Sequence, residues 1–172
     1  QRLTELIQAG ISLNILLDPE TAIDEIAVLA RKTFEARFVF ITLLNQQGDF
    51  SRKSHSGEAP KLLNALNANP SKPLIQAALN ATKPFRVRDL RKYTNAKNIE
   101  IDHGGLRSAL AIPIRLHRLS IGTIIVFGKQ EGVFFSEHDE SLADLLASQA
   151  ATAIESSWLI RDIRNKEITT SQ

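Results

Sequence analysis

Three stretches of this chain, residues 37–44, 109–116 and 121–128, are rich in β-branched, aromatic and other apolar residues at odd and even positions alike. Side chains along a strand alternate between the two faces of a sheet, so a strand that is apolar on both needs cover on both. These are central strands, and the rest of the sequence has to supply the layers around them.

The first run leaves through Asn45 to Gly48, a short connection in which Gly48 can take a positive φ, and enters a more polar strand from about Phe50 to His55. The polarity of that second strand marks an edge of the sheet. The other two apolar runs flank His117, Arg118, Leu119 and Ser120, which reads as the turn of a hairpin, and Phe85 to Arg88 is a further short strand. The sheet is therefore mainly antiparallel.

Helices come before, between and after these strands. Leu3, Leu6, Ile7, Ile11 and Leu13 recur at helical spacing as far as about Leu17. Asp18, Pro19 and Glu20 then suit the start of a second helix, whose apolar face is Ile23, Ile26, Ala27, Ala30 and Phe34. Residues 57–107 are irregular, with short helices around Leu62, Leu63 and Leu66 and around Leu74, Ile75, Ala78 and Leu79, broken by Pro70, Pro73 and Pro84. Asp89 to Gly105 has little period and many polar residues, as befits a loop lying over a site.

The final helix has the clearest start. Ser136 precedes Asp139 by three residues in a capping-box arrangement, and Glu137, Asp139 and Glu140 place negative charge where the helix dipole favours it. Leu142, Leu145, Leu146, Gln149, Ala150, Ala153 and Ile154 make an inner stripe, and no Gly or Pro interrupts the chain from Ser136 to Gln172. About 30 helical residues extend roughly 45 Å, further than one small domain covers. Trp158, Leu159 and Ile163 on the overhang are therefore expected to meet the opening helix or the same helix of a second copy.

Composition narrows the function. A chain of 172 residues suits one domain, expected over residues 1–160 with 161–172 starting a signalling helix or linker. The net charge is +2 with basic residues scattered along the chain, which argues against a nucleic-acid interface. There are no cysteines, so disulfides, thiolate metal sites and thiol nucleophiles are excluded. His55, His103, His117 and His138 share no metal-ligand spacing, and no catalytic motif stands out, so no metal, cofactor or catalytic residue is expected. No apolar run reaches the roughly 20 residues of a membrane span, and no signal-peptide pattern opens the chain. A cytoplasmic domain without membrane contact is the expectation. The absence of an initial methionine suggests a piece of a longer protein.

Particular segments sharpen the picture. Gly105 to Ile114 has a Ser before an apolar strand that ends in a Pro-aliphatic pair, and Ile121 to Val126 is a Gly-led strand. Lys83-Pro84 and Asp89-Leu90 flank the short strand, and Phe135 to Glu140 opens a helix that continues through Leu142, Leu145 and Gln149 to Ile154. In this order they resemble a GAF domain, a sensor and regulatory module of signalling proteins. The resemblance implies an α+β, GAF/PAS-like fold: a central antiparallel sheet of about five to six strands, with N- and C-terminal helices on one face and an irregular helical insert on the other.

The usual pocket of that family lies between sheet and insert. On this chain it would involve Thr42, Arg86, Arg88, Asp89, Tyr93, His103, Arg107 and Ser108. Lys129, Phe135 and Asp139 match part of a motif of the cyclic-nucleotide-binding members, although Gly128 stands where those carry Asn; the residues alone equally suit a structural tie between strand and helix, with Lys129 pairing with Asp139. The resemblance implies a non-enzymatic sensory module, most readily of a two-component histidine kinase, that binds a small ligand or partner and signals through its terminal helices to an output domain in the same parent chain. A ligand-free dimerisation scaffold and a cyclic-nucleotide receptor are the alternatives.

Overall fold

A computed structural model describes residues 22–45, 47–59, 63, 73–90, 108–129 and 134–170, without the side chains of 129 and 157–170. Helix α1 (Ala22–Thr33) leads into strand β1 (Ala36–Leu44), which turns into β2 (Phe50–Gly57). Helix α2 (Pro73–Asn80) and the short β3 (Phe85–Val87) come next, then the hairpin of β4 (Ala109–Leu116) and β5 (Leu119–Lys129), and finally α3 (Glu137–Thr170). The five strands form one antiparallel sheet in the order β2-β1-β5-β4-β3.

The three runs that are apolar on both faces occupy the three inner positions, as their composition requires. One face of the sheet presents Val39, Ile41, Leu110, Ile112, Ile124 and Val126 to α1 and α3. The opposite face presents Phe38, Phe40, Ala109, Ala111, Ile125 and Phe127, with Leu74, Ile75 and Ala78 of α2 packed over them. The arrangement is the expected one of sheet, paired helices and insert.

Local details differ from the expectations for physical reasons. Strand β2 continues past His55 to Gly57 because its inward serines are held by α1: Arg31 Nε donates to Ser56 Oγ at 2.9 Å, and Ser54 Oγ donates to Asp24 Oδ1 at 2.5 Å. The β4–β5 turn is two residues, not four, because His117 takes φ 60° and reverses the chain at once, so Leu119 and Ser120 are already strand. Leu119 is left exposed at the tip. On α3 the inner stripe is centred on Ala143, Leu146, Ala150, Ala153 and Ile154, with Leu142 and Leu145 only partly buried. Small residues on that line let the helix approach the sheet closely.

Helix α3 has 34 residues, about 51 Å at 1.5 Å per residue, and passes without a break through the boundary expected near residue 160. Trp158, Leu159 and Ile163 lie within this helix, and their side chains are outside the described residues. The expected helices at residues 3–17 and around Leu62 and Leu66 fall outside the described residues as well. No helix among the described residues is long and apolar enough to cross a membrane.

Gly48 and Gly122 are among the glycines that carry backbone demands. Gly48 turns the β1–β2 connection with φ 88°, while the Asn45 side chain accepts from the backbone amides of Gln47 and Asp49 at 2.9 and 3.0 Å. Gly122 sits where β5 presses against β1: a Cβ there would collide with the Thr42 carbonyl oxygen and stand 2.9 Å from Leu43 Cδ2. Replacing Gly122 with Ala is expected to destabilise the fold by about 1–3 kcal/mol, the usual cost of overpacking, seen as a lower urea midpoint with an unchanged m-value.

Candidate functional site

The face of the sheet beneath α2 is a floor of aromatic and aliphatic side chains that ends in two hydroxyls. Thr42 lies two residues beyond Phe40 on β1, and Thr123 two residues before Ile125 on β5, so both share the α2-side face. They are register partners across the β1–β5 ladder, and Pro113 of β4 stands opposite Thr123 on its other side. Both threonines are fully buried, and among the described residues neither Oγ1 has a hydrogen-bond partner. A buried hydroxyl left unpaired costs about 1–3 kcal/mol. Two such groups side by side form an unsatisfied polar spot in an otherwise apolar layer.

Polar contacts at the rim fix α2 over this floor. Arg115 donates through Nη1 to the Ala81 carbonyl just past α2 and to Ser120 Oγ, both at 3.2 Å, and through Nη2 to the Arg118 carbonyl at 2.9 Å. Ser120 Oγ in turn donates to the Leu79 carbonyl. The carbonyls at the end of α2, which have no partner inside the helix, are thus taken up by the β4–β5 hairpin. On the β2 side, exposed His55 stacks against Phe38 with ring centroids 5.8 Å apart.

The residues proposed from the sequence do not all converge on this floor. Arg86 pairs in register with Leu110, whose side chain belongs to the helix-facing cluster, so Arg86 points to the opposite face from Thr42. There its Nε donates to Glu140 Oε1 at 2.6 Å and its Nη1 to the Phe135 carbonyl at 3.2 Å. Arg88 is exposed, with its guanidinium carbon 5.2 Å from the centroid of the Phe134 ring. Strand β3 and the start of α3 thereby enclose a cleft of about 570 Å³ lined by Phe85, Arg86, Val87, Arg88, Phe134, Phe135 and Glu140. Asp89 is half-buried just past β3, and Ser108 is buried ahead of β4, where its carbonyl accepts from Gly128 N at 3.0 Å. Tyr93, His103 and Arg107 lie outside the described residues.

The start of α3 is built as its sequence suggested. Ser136 N donates to Asp139 Oδ2 at 2.8 Å and Asp139 N donates to Ser136 Oγ at 3.2 Å, a reciprocal capping box, and Phe135 is buried beside it. Asp139 serves this cap. Lys129 ends β5, and its side chain is outside the described residues. Sequence reading missed Thr123: its neighbours Ile121, Ile124 and Ile125 make the segment look uniformly apolar, and only the register with Thr42 reveals the pair. Among the described residues no group of three or more His, Asp or Glu side chains could hold a metal ion.

Comparison with known proteins places this architecture. A model of the GAF domain family matches residues 17–155. Among solved structures, the GAF domain of an Acinetobacter phosphoenolpyruvate-protein phosphotransferase superposes with a TM-score of 0.69 at 18% identity, covering 92% of this chain and 94% of that one. The free methionine-R-sulfoxide reductase of Neisseria meningitidis, solved with its substrate, gives a TM-score of 0.67 at 14% identity, covering 92% and 89%. The GAF domain of a protein named as a sensor histidine kinase from Pseudomonas syringae pv. tomato gives 0.63 at 15% identity, covering 94% and 93%. At these identities the likeness is one of fold.

Removing the Asp139 carboxylate opens the capping box from both sides. Asp139→Ala is expected to cost about 1–2 kcal/mol and to speed hydrogen exchange of the amides in the first turn of α3, while the exchange of β1 and β5 stays unchanged.

Proposed function

The chain belongs to the GAF domain family, and from that premise we propose that it is the sensory module of a signal-transduction protein, binding a small ligand over the α2-side face of its sheet. The observation that carries this reading is the pair of buried, unpartnered hydroxyls of Thr42 and Thr123. A ligand with a polar group set between apolar surfaces would satisfy both at once, which is how most small-molecule sites fix orientation. Binding would alter the packing of α2 and of the segment beyond β3, and α3 would carry the change out of the domain. Such a switch requires that the ligand favour one helix arrangement over another.

A sensor histidine kinase is the parent this reading favours, in line with the kinase-derived structural relative. Catalysis is not part of the proposal. The structural relative that reduces free methionine sulfoxide is an enzyme, but this chain has no cysteine to supply a redox-active thiol. Dimerisation through α3 is proposed alongside sensing, since the later turns of that helix carry Trp158, Leu159 and Ile163.

Two measurements test the proposal. The double variant Thr42→Val, Thr123→Val removes both hydroxyls at nearly constant shape. It is expected to raise the stability of the ligand-free domain by about 1 kcal/mol per site, and to abolish a co-purified small molecule seen by native mass spectrometry of the wild type. A wild type that carries no such mass, or a double variant that retains it, counts against the site. For transmission, the cysteine-free chain accepts a single Cys at Ile163; its crosslinking rate should change when ligand is added, and tight binding with an unaltered rate would refute the output step.

A further inference from the structure

The cleft between β3 and the start of α3 lies on the other side of the sheet from Thr42 and Thr123, and it has a recognition chemistry of its own. Among its lining residues the one carboxylate, Glu140, is held by Arg86, whose Nε and Nη1 are both committed. Among the described residues Arg88 is the cation of the cleft with no ion pair: its contact there is with the Phe134 ring, whose centroid lies 5.2 Å from the guanidinium carbon. A guanidinium whose neighbour is a ring and not an acceptor oxygen retains N–H donors that match a carboxylate bidentately.

The walls restrict the ligand further. Phe134 is 51% exposed, unusual for a large aromatic, and is the aromatic wall of the cleft; Phe85 and Val87 border the cleft along β3 but belong with their side chains to the α2-side cluster. The volume of about 570 Å³ falls within the range that accommodates small organic molecules. An inorganic anion would leave the aromatic wall unused, and a neutral ring would leave Arg88 unused. We propose that this cleft is a binding site for a small organic acid, its carboxylate set against Arg88 and its apolar or aromatic body against Phe134. The proposal does not depend on the ligand over the α2-side face.

Benzoate and its neutral counterpart benzamide are suitable probes, titrated into the full chain and followed by proton–nitrogen correlation spectra. Benzoate is expected to shift the amides of Val87, Arg88, Phe134 and Phe135 in a saturable manner, with benzamide at least about tenfold weaker. Arg88→Ala, at an exposed position, should keep the dispersed spectrum of the wild type and weaken benzoate by about tenfold or more. Three results would each overturn the assignment: no saturable shift with benzoate up to its solubility, equal binding of benzamide, or undiminished binding by the Arg88→Ala variant.

Discussion

The structure depends on the burial of β1, β5 and β4 on both of their faces. A strand with only one apolar face can be satisfied by a single layer of helices, whereas these three leave no face that water could cover without loss. Val39, Ile41 and Ile124 demand α1 and α3 on one side; Phe40, Ile125 and Phe127 demand α2 and the insert on the other. The same constraint gives meaning to the exceptions. Thr42 and Thr123 would be unremarked on a wet face, but between two covered layers their hydroxyls find no hydrogen-bond partner among the described residues.

Hydrophobic cover alone would let the layers slide, and a small set of polar contacts at the rim fixes them. Asp24 and Arg31 hold α1 to the serines of β2, Arg115 and Ser120 hold the end of α2 to the β4–β5 hairpin, and Arg86 holds β3 to the start of α3. The Arg86 and Glu140 side chains are 38% and 34% exposed, so solvent screens the pair and it adds at most about 1 kcal/mol. Its importance is positional. Contacts of this strength hold one arrangement at rest and can be exchanged for another at low cost, which a signalling domain needs and a purely apolar interface does not offer.

Much of this was legible in the sequence, and the boundary of legibility has a physical cause. Composition on both faces placed the inner strands, the polarity of Arg52, Lys53 and His55 placed β2 at the edge, and Ser136 with Asp139 announced the cap of α3. Each of these signals is local in the chain. The site was harder because it is made by register. Arg86 and Thr42 are both polar residues of short apolar segments, and nothing in their neighbourhoods says that one points toward α3 and the other toward α2. Thr123 became visible only through its partner across the ladder, and the two-residue turn at His117 only through a positive φ that a histidine adopts without any glycine to signal it.

Helix α3 is held by polar contacts at its start and by apolar contacts along its body. Its first turn is clamped by the capping box, by buried Phe135 and by Arg86 from β3, while its body lies along β4 and the helix continues to Thr170. For a rigid helix about 51 Å long, a tilt of about 5° corresponds to a displacement of about 4 Å between its two ends, and the buried stripe from Ala143 to Ile154 resists it. Strand β3 is the part of the sheet best placed to impose such a tilt. It has only three residues, it stands at the sheet edge beside β4, and it holds the start of α3 through the exchangeable side chain of Arg86. The polar grip of Arg86 on the start of α3 and the apolar packing of that helix on β1, β5 and β4 are therefore separate interactions: solvent can replace the first, and only unfolding exposes the second.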